Sequence, residues 1–322
     1  MTQLIGHEEP WAAWRAALRG QRMHHAWLLA GREGLGKATF ARAAAAELVA
    51  EPGVPQPSPP MHPDIHVLIP LPASDDEAKK MEDGKPYQKK RSISVDQIRA
   101  IQRRLVTRPT LGARRAVIID SADLLEKAAV NALLKSLEEP PQGTFFLLVA
   151  HQPGRLLPTV RSRCRVLRFH TLDDRQLAHA LDAMAPGLDE ATRAAAMAVA
   201  AGSPGAALHF AEQDLGQVFA VMQRLAERGD PDFALRGKLT EAIGARPDRV
   251  RQMAAIEAAR MVLVLALEQA GDARRVAIAD AHARMVTLAA QAPVYNYDPG
   301  LLMLEIGGLL ASTARTREAA SR

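Results

Sequence analysis

Residues 26–37, AWLLAGREGLGK, decide the fold class of this chain. The first five of them are continuously apolar, as expected of a strand that is buried on both faces of a parallel sheet. A glycine-rich turn follows from Gly31 to Lys37, and residues 39–50 are typical of a helix. A strand, a glycine turn and a helix in this order form the opening unit of an α/β fold.

Strand and helix signals alternate over the first half of the chain. Three further apolar runs predict strands, at 66–69, 116–120 and 144–150. The helical segments among them are 96–105 and 128–138. The alternation continues to about Phe169 and favours a parallel sheet with flanking helices.

After Thr171 the strand signal ends and the sequence is helical. Gly202-Ser203-Pro204-Gly205 separates two short helical segments. Farther along, five apolar residues at helical spacing predict one buried face: Met253, Ile256, Leu263, Val264 and Leu267. The chain thus predicts three domains, an α/β domain over 1–170, a small helical lid domain over 171–212 and an all-α domain over 213–322.

Composition excludes several classes of protein. Of the 322 residues 48% are hydrophobic and 24% charged, which is typical of a globular chain with a real core. A net charge of +5 slightly favours anionic partners. The single cysteine, Cys164, excludes a disulfide framework and a zinc site built on several thiolates. No apolar run reaches the ~18 residues of a membrane span, and the N-terminus lacks a secretion signal, so we expect a cytoplasmic protein.

The glycine turn matches the first seven positions of a phosphate-binding loop. In such loops Gly31, Gly34 and Gly36 would let backbone N–H groups face a phosphate, and Lys37 would meet the outer phosphates. The eighth position should carry the hydroxyl that holds Mg²⁺, and here it is Ala38. Two interpretations stay open: a nucleotide site, or a turn kept for its shape alone.

The second long strand ends in an acid, Asp120. An acid there can position Mg²⁺, or it can simply cap a helix or end the strand without a metal role. The next residue is Ser121, whose hydroxyl is a poor general base.

Between Glu51 and Arg91 the regular pattern breaks. A proline cluster opens this excursion: Pro52, Pro55, Pro57, Pro59 and Pro60. Acidic and basic residues then nearly balance from Asp75 to Arg91, which favours a solvated segment over a binding motif. His62 and His66 are four residues apart without further ligands nearby in sequence, so zinc is not expected.

Several motifs together identify a resemblance. They are HAWLLAG at 25–31, SVDQIR at 94–99, NALLKSLEEPP at 131–141 and SRC at 162–164. With these motifs residues 4–210 resemble the clamp-loader family of AAA+ proteins, and within it the delta-prime subunits of bacterial DNA polymerase III. The resemblance implies an AAA+ α/β domain, a helical lid and a C-terminal helical collar.

The SRC motif implies a role for Arg163 in trans. In this family the motif, Ser162-Arg163-Cys164 here, places an arginine finger at the nucleotide of a neighbouring ATPase subunit. A fixed guanidinium offers paired donors to phosphate oxygens and stabilises the charge of phosphoryl transfer. The alternative is a basic surface shared with Arg161, Arg165 and Arg168. Cys164 is expected to be a small buried residue rather than a reactive thiol.

Three departures from hydrolysing relatives argue against an intrinsic ATPase. Ala38 replaces the metal-binding hydroxyl, Ser121 the water-activating acid, and Gly205 a sensor arginine. No metal site and no certain cofactor are therefore expected. The four-cysteine zinc module of many relatives is missing from the excursion.

The resemblance implies a non-hydrolysing scaffold in a ring-like pentamer within a DNA-directed DNA polymerase (nucleotidyltransferase) holoenzyme. Its implied partners are gamma/tau ATPase subunits and a delta subunit, with the sliding clamp and primed DNA reached through the complex, and no membrane. Arg99 and Arg103 could touch DNA phosphates or form a solvated helix face. The alternatives are a hydrolysing, gamma/tau-like ATPase subunit and a stand-alone nucleotide-dependent DNA-binding protein.

Overall fold

The computed structural model describes residues 4–20, 22–58, 61–292, 295 and 297–314. The chain forms two compact units, Met1–Thr171 and Leu172–Arg322. A separate lid domain over 171–212 stays a prediction. Pro59 and Pro60 of the proline cluster lie outside the described residues, as do 1–3 and 315–322 of the predicted terminal domains.

A parallel sheet forms the centre of the first unit. Its strands are β1 (Ala26–Ala30), β2 (Ile65–Leu68), β3 (Arg115–Asp120), β4 (Thr144–Ala150) and β5 (Arg165–Arg168). They lie in the order β2-β3-β4-β1-β5, and every pairing is parallel. The predicted strands are confirmed, and β1 lies between two neighbours because both of its faces are apolar.

Helices cover both faces of this sheet. The helices of this unit are α1 (Glu8–Arg19), α2 (Lys37–Val49), α3 (Asp75–Glu82), α4 (Val95–Leu105), α5 (Lys127–Glu138) and α6 (Pro158–Arg161), of which α3 contributes to neither core. Neighbouring strand residues alternate between two cores, so Leu28 packs with the α4 and α5 side chains, whereas Leu29 packs with those of α1 and α2. The predicted α/β layering is confirmed.

The excursion contains a helix that the sequence analysis missed. Ser74 caps α3 by accepting a hydrogen bond from the Glu77 backbone N–H. The Glu77 carboxylate in turn accepts one from the Gln88 backbone N–H at 2.6 Å. None of the α3 residues is buried, so the predicted solvent exposure of this segment is correct although its structure is regular.

The second unit is entirely helical over its described residues. Its helices are α7 (Asp174–Met184), α8 (Glu190–Ala200), α9 (Pro204–Glu212), α10 (Gly216–Arg228), α11 (Ala234–Ile243), α12 (Arg249–Glu268), α13 (Asp272–Gln291) and α14 (Pro299–Ala311). None of the described helices in either unit combines the length and apolar character that crossing a membrane requires.

The buried face of α12 differs in part from the predicted one. Ile256 and Leu263 are buried as predicted, but Val264 and Leu267 are 40% and 39% exposed. The helix instead buries a stripe of alanines, Ala254, Ala255, Ala258 and Ala259. Alanine allows neighbouring helices to approach closely.

Candidate functional site

The glycine loop joins β1 to α2, as the sequence predicts. Gly36 is the N-cap of α2 and has a φ of 79°, a left-handed conformation that L side chains rarely adopt. A Cβ at Gly36 would lie 2.6 Å from Cδ2 of Leu4. The turn at Gly36 therefore favours glycine, and a leucine from the N-terminal segment lies against it.

Lys37 binds its own loop. Its ammonium group donates to the carbonyl oxygen of Gly31 at 2.7 Å and to that of Arg32. Lys37 is only 2% exposed, and this burial lowers the pKa of Lys37 to about 8 despite the opposing charges of Asp123 and Glu33. The group that should meet the outer phosphates is thus occupied by backbone carbonyls.

The N-terminal segment is fixed against the loop by His7. The His7 ring is buried, and its Nε2 lies 2.7 Å from the carbonyl oxygen of Leu35. The ring also lies 4.8 Å from that of Phe169, and burial lowers the pKa of His7. The sequence analysis assigned no role to Leu4 or His7, because nothing in a single sequence shows that they reach the loop.

Two acids, one at the end of β3 and one just after it, lie close enough to Lys37 to oppose the lowering of its pKa. Asp120 ends the strand, and Asp123 accepts a hydrogen bond from the His151 backbone N–H at 3.0 Å. The helix-cap alternative for Asp120 is wrong, since Ser121 and Glu126 hold the N-cap positions of the next two elements, but the alternative of a strand-end acid is confirmed. Within the described ranges, no three His, Cys, Asp or Glu side chains are grouped as metal ligands.

Arg163 follows the short helix α6 and is anchored by its neighbours. Val160 is fully buried in the core cluster that contains α5 side chains, and Cys164 packs against the same cluster. Burial raises the pKa of Cys164 to about 12, so its thiol stays protonated and unreactive at neutral pH. The backbone of Arg163 is therefore flanked by the buried Val160 and the partly buried Cys164, which both pack in this core.

The guanidinium of Arg163 has two partners. Nη1 donates to the Thr159 carbonyl oxygen at 3.0 Å, and Nη2 lies 2.7 Å from Oε1 of Glu138 at the end of α5. The side chain is 35% exposed. Sequence reasoning missed Glu138 as a partner, although an acid in the last turn of a helix is unusual enough to be noticed.

A polar groove separates α4 from α5. Gln102 donates through Nε2 to the carbonyl oxygen of Ala132 and to the Ser136 hydroxyl, both at 2.9 Å. Beside it lies a cavity of about 400 Å³ whose lining includes Arg99, Asn131 and Lys135. Arg99 and Arg103 are both exposed on α4, and Arg99 also pairs with Asp96 at 3.7 Å.

The first unit matches a known protein family. Residues 6–173 match the family described as "DNA polymerase III, delta subunit". The chain is 38% identical over 173 residues to DNA polymerase III subunit delta' of Pseudomonas aeruginosa, covering 48% of this chain and 46% of that protein. It is 40% identical over 129 residues to the Escherichia coli subunit of the same name, covering 40% and 38%. The matched region thus spans less than half the length of these relatives.

Two further proteins resemble the chain, one by sequence and one by fold. DNA polymerase III subunit tau of Escherichia coli is 29% identical over 184 residues, covering 56% of this chain and 27% of that protein. A gamma-subunit-related protein of Thermotoga maritima has a TM-score of 0.51 at 16% identity, covering 94% of this chain and 99% of the other. This structural likeness shows a shared fold.

Proposed function

We propose, from the premise that this chain belongs to the family of DNA polymerase III delta subunits, that it is a non-hydrolysing clamp-loader subunit that supplies Arg163 to a neighbouring ATPase. The delta' relatives from two bacteria support the choice of subunit within the family. The observation that carries the proposal is the guanidinium of Arg163, partly exposed on a backbone that Val160 and Cys164 hold in the core.

The chemistry of phosphoryl transfer supports a finger at this position. The γ-phosphoryl group spreads negative charge over its oxygens in the transition state, and a planar guanidinium offers two parallel donors to them. A finger is effective when it is positioned before the reaction, and the short helix α6 provides that rigidity. The alternative of a general basic surface is weakened by Arg165, whose guanidinium lies over the Trp27 ring at 5.1 Å.

The chain's own glycine loop is proposed not to hold ATP. Lys37 donates to two backbone carbonyls, Leu4 lies against Gly36, and Ala38 offers no hydroxyl to a metal. A nucleotide would have to displace Leu4 and break both lysine hydrogen bonds. These residues do not fit the phosphates and Mg²⁺ of a bound nucleotide, and no reaction step is assigned to this loop.

The partners follow from the relatives. Gamma and tau subunits are ATPase candidates for the neighbour that receives Arg163, and the tau match supports a common assembly. A delta subunit, the sliding clamp and primed DNA complete the proposed setting, with DNA reached in part through the groove of Arg99 and Lys135. Loading clamps during replication is a cytoplasmic activity in bacteria.

The finger is tested in the assembled clamp loader with Arg163→Ala. We expect assembly, measured by gel filtration, to be unchanged. The rate of DNA-stimulated ATP hydrolysis should fall by at least the contribution of one ATPase site, because the γ-phosphoryl group at that site loses its guanidinium. Arg161→Ala, which removes an exposed arginine from the short helix that precedes Arg163, is the matched control. An ATPase rate equal to that of the control refutes the finger.

The hydrolysing alternative has a separate test on the purified chain alone. We expect no turnover of ATP with Mg²⁺ above background, and no difference between wild type and Lys37→Ala. Turnover that Lys37→Ala abolishes would instead show that this chain is a gamma/tau-like ATPase.

A further inference from the structure

We propose that Glu138 is a positioning residue that holds Arg163 in an ion pair and yields it to a polyphosphate. The inference rests on the proposed function, because it concerns the same guanidinium. It adds a condition to that function. Arg163 is paired with Glu138 before the reaction, and its guanidinium must move from that carboxylate to a phosphate.

The contacts of Arg163 show that both of its terminal nitrogens are in use. Nη2 lies 2.7 Å from Oε1 of Glu138, and Nη1 donates to the Thr159 carbonyl oxygen at 3.0 Å. The same carbonyl oxygen accepts the Ser162 hydroxyl at 3.2 Å, which ties the SRC segment to the end of α6. Paired binding of a phosphate through the two terminal nitrogens therefore requires Nη2 to leave the carboxylate.

The position of Glu138 on α5 points to a role outside the helix. Glu138 is the last helical residue, and the partial negative charge of a helix C-terminus disfavours a carboxylate there. Glu139 and then Pro140-Pro141 follow, so a second acid stands beside it. The acid that breaks this rule is the partner of a functional arginine, which suggests that the charge of Glu138 itself serves Arg163.

The exposure of the pair makes the exchange feasible. The side chains of Arg163 and Glu138 are 35% and 48% exposed, so water screens the attraction and the pair is weak. A triphosphate carries several negative charges and accepts the same paired donors, so it displaces a single carboxylate. Only the fraction of Arg163 that is released from Glu138 can bind the phosphates of the neighbouring site. The apparent affinity of Arg163 for those phosphates is therefore its intrinsic affinity multiplied by the released fraction.

The experiment compares Glu138→Gln with wild type in the full complex with its ATPase partners. Without DNA we expect ATPase activity to rise about two- to fivefold, and the half-saturating ATP concentration to fall by a similar factor, which is the effect of an exposed ion pair. The maximal rate with DNA stays unchanged, because the finger is then fully released in both proteins. Glu138→Asp, which keeps the charge, remains near wild type.

Matched controls separate this inference from the proposed function. Glu139→Gln removes the adjacent acid, and we expect it to behave like wild type. In an Arg163→Ala background, Glu138→Gln should have no effect. If Glu138→Gln lowers the DNA-independent rate, leaves it unchanged, or is matched by Glu139→Gln, the positioning role is overturned. If Arg163→Ala leaves hydrolysis unchanged, it is the finger itself that fails.

Discussion

Lys37 is a cation buried without a carboxylate at hydrogen-bonding distance among the described residues. Its ammonium group donates to the carbonyl oxygens of Gly31 and Arg32, and it is 2% exposed. Backbone carbonyls compensate only part of the lost hydration, and burial accordingly lowers the pKa of Lys37 to about 8. The folded chain therefore binds its Lys37 proton less tightly than the unfolded chain does.

This pKa gives a pH-dependent stability with a defined sign. The unfolded state binds more protons than the folded state between pH ~8 and pH ~10.5, so the Lys37 contribution makes the free energy of unfolding rise over that interval. Urea denaturation of wild type and Lys37→Met at pH 7.5 and 10 isolates the contribution, since other groups titrate alike in both. We expect wild type to gain about 2 kcal/mol relative to the variant. Parallel pH profiles would contradict the burial of a charged lysine.

Gln102 joins two helices into the surface that the proposed DNA contact uses. Its side-chain amide binds the Ala132 carbonyl oxygen and the Ser136 hydroxyl on α5, which fixes the distance between Arg99 on α4 and Lys135 on α5. Two cations at a fixed spacing suit neighbouring phosphates of a nucleic-acid backbone. The SVDQIR and NALLKSLEEPP motifs, which carry the family resemblance, thus supply the two walls of one groove.

The groove is tested by the salt dependence of DNA binding in the assembled complex. Arg99→Ala combined with Lys135→Ala removes two phosphate contacts, so the slope of log affinity against log salt should fall in magnitude by about 2. Lys79→Ala, which removes an exposed lysine from α3, is the control and should leave the slope unchanged. An unchanged slope in the double variant would place the DNA contact elsewhere.

Over the whole molecule, sequence patterns predicted the central elements best. The bounds of β1 and β4 agree with the predicted strands, because both are continuously apolar and lie inside a parallel sheet. The predicted helices at 96–105 and 128–138 begin one residue earlier in the structure, as α4 and α5. The SVDQIR and NALLKSLEEPP motifs, which lie at α4 and α5, were equally clear in the sequence.

The elements that sequence patterns missed are those without such a signal. β5 is an edge strand of only four residues whose Arg165 and Arg168 are exposed, so it has neither a continuous apolar run nor an alternating pattern. The helix α3 was hidden by its charge, although Ser74 and the acids after it are a typical helix start. In the candidate site, the contacts of Leu4 with Gly36 and of Glu138 with Arg163 could not be predicted because the partners lie far apart in sequence, although Glu138 stands out as an acid in the last turn of a helix.

The central claim is that this chain supplies a side chain to hydrolysis on an adjacent molecule. Single-turnover hydrolysis of ATP by the assembled clamp loader, started by adding primed DNA, tests it most directly. With Arg163→Ala we expect the rapid phase to lose the amplitude of one ATP per complex, while ATP binding before the reaction is retained. A rapid phase of full amplitude and unchanged rate would contradict the claim.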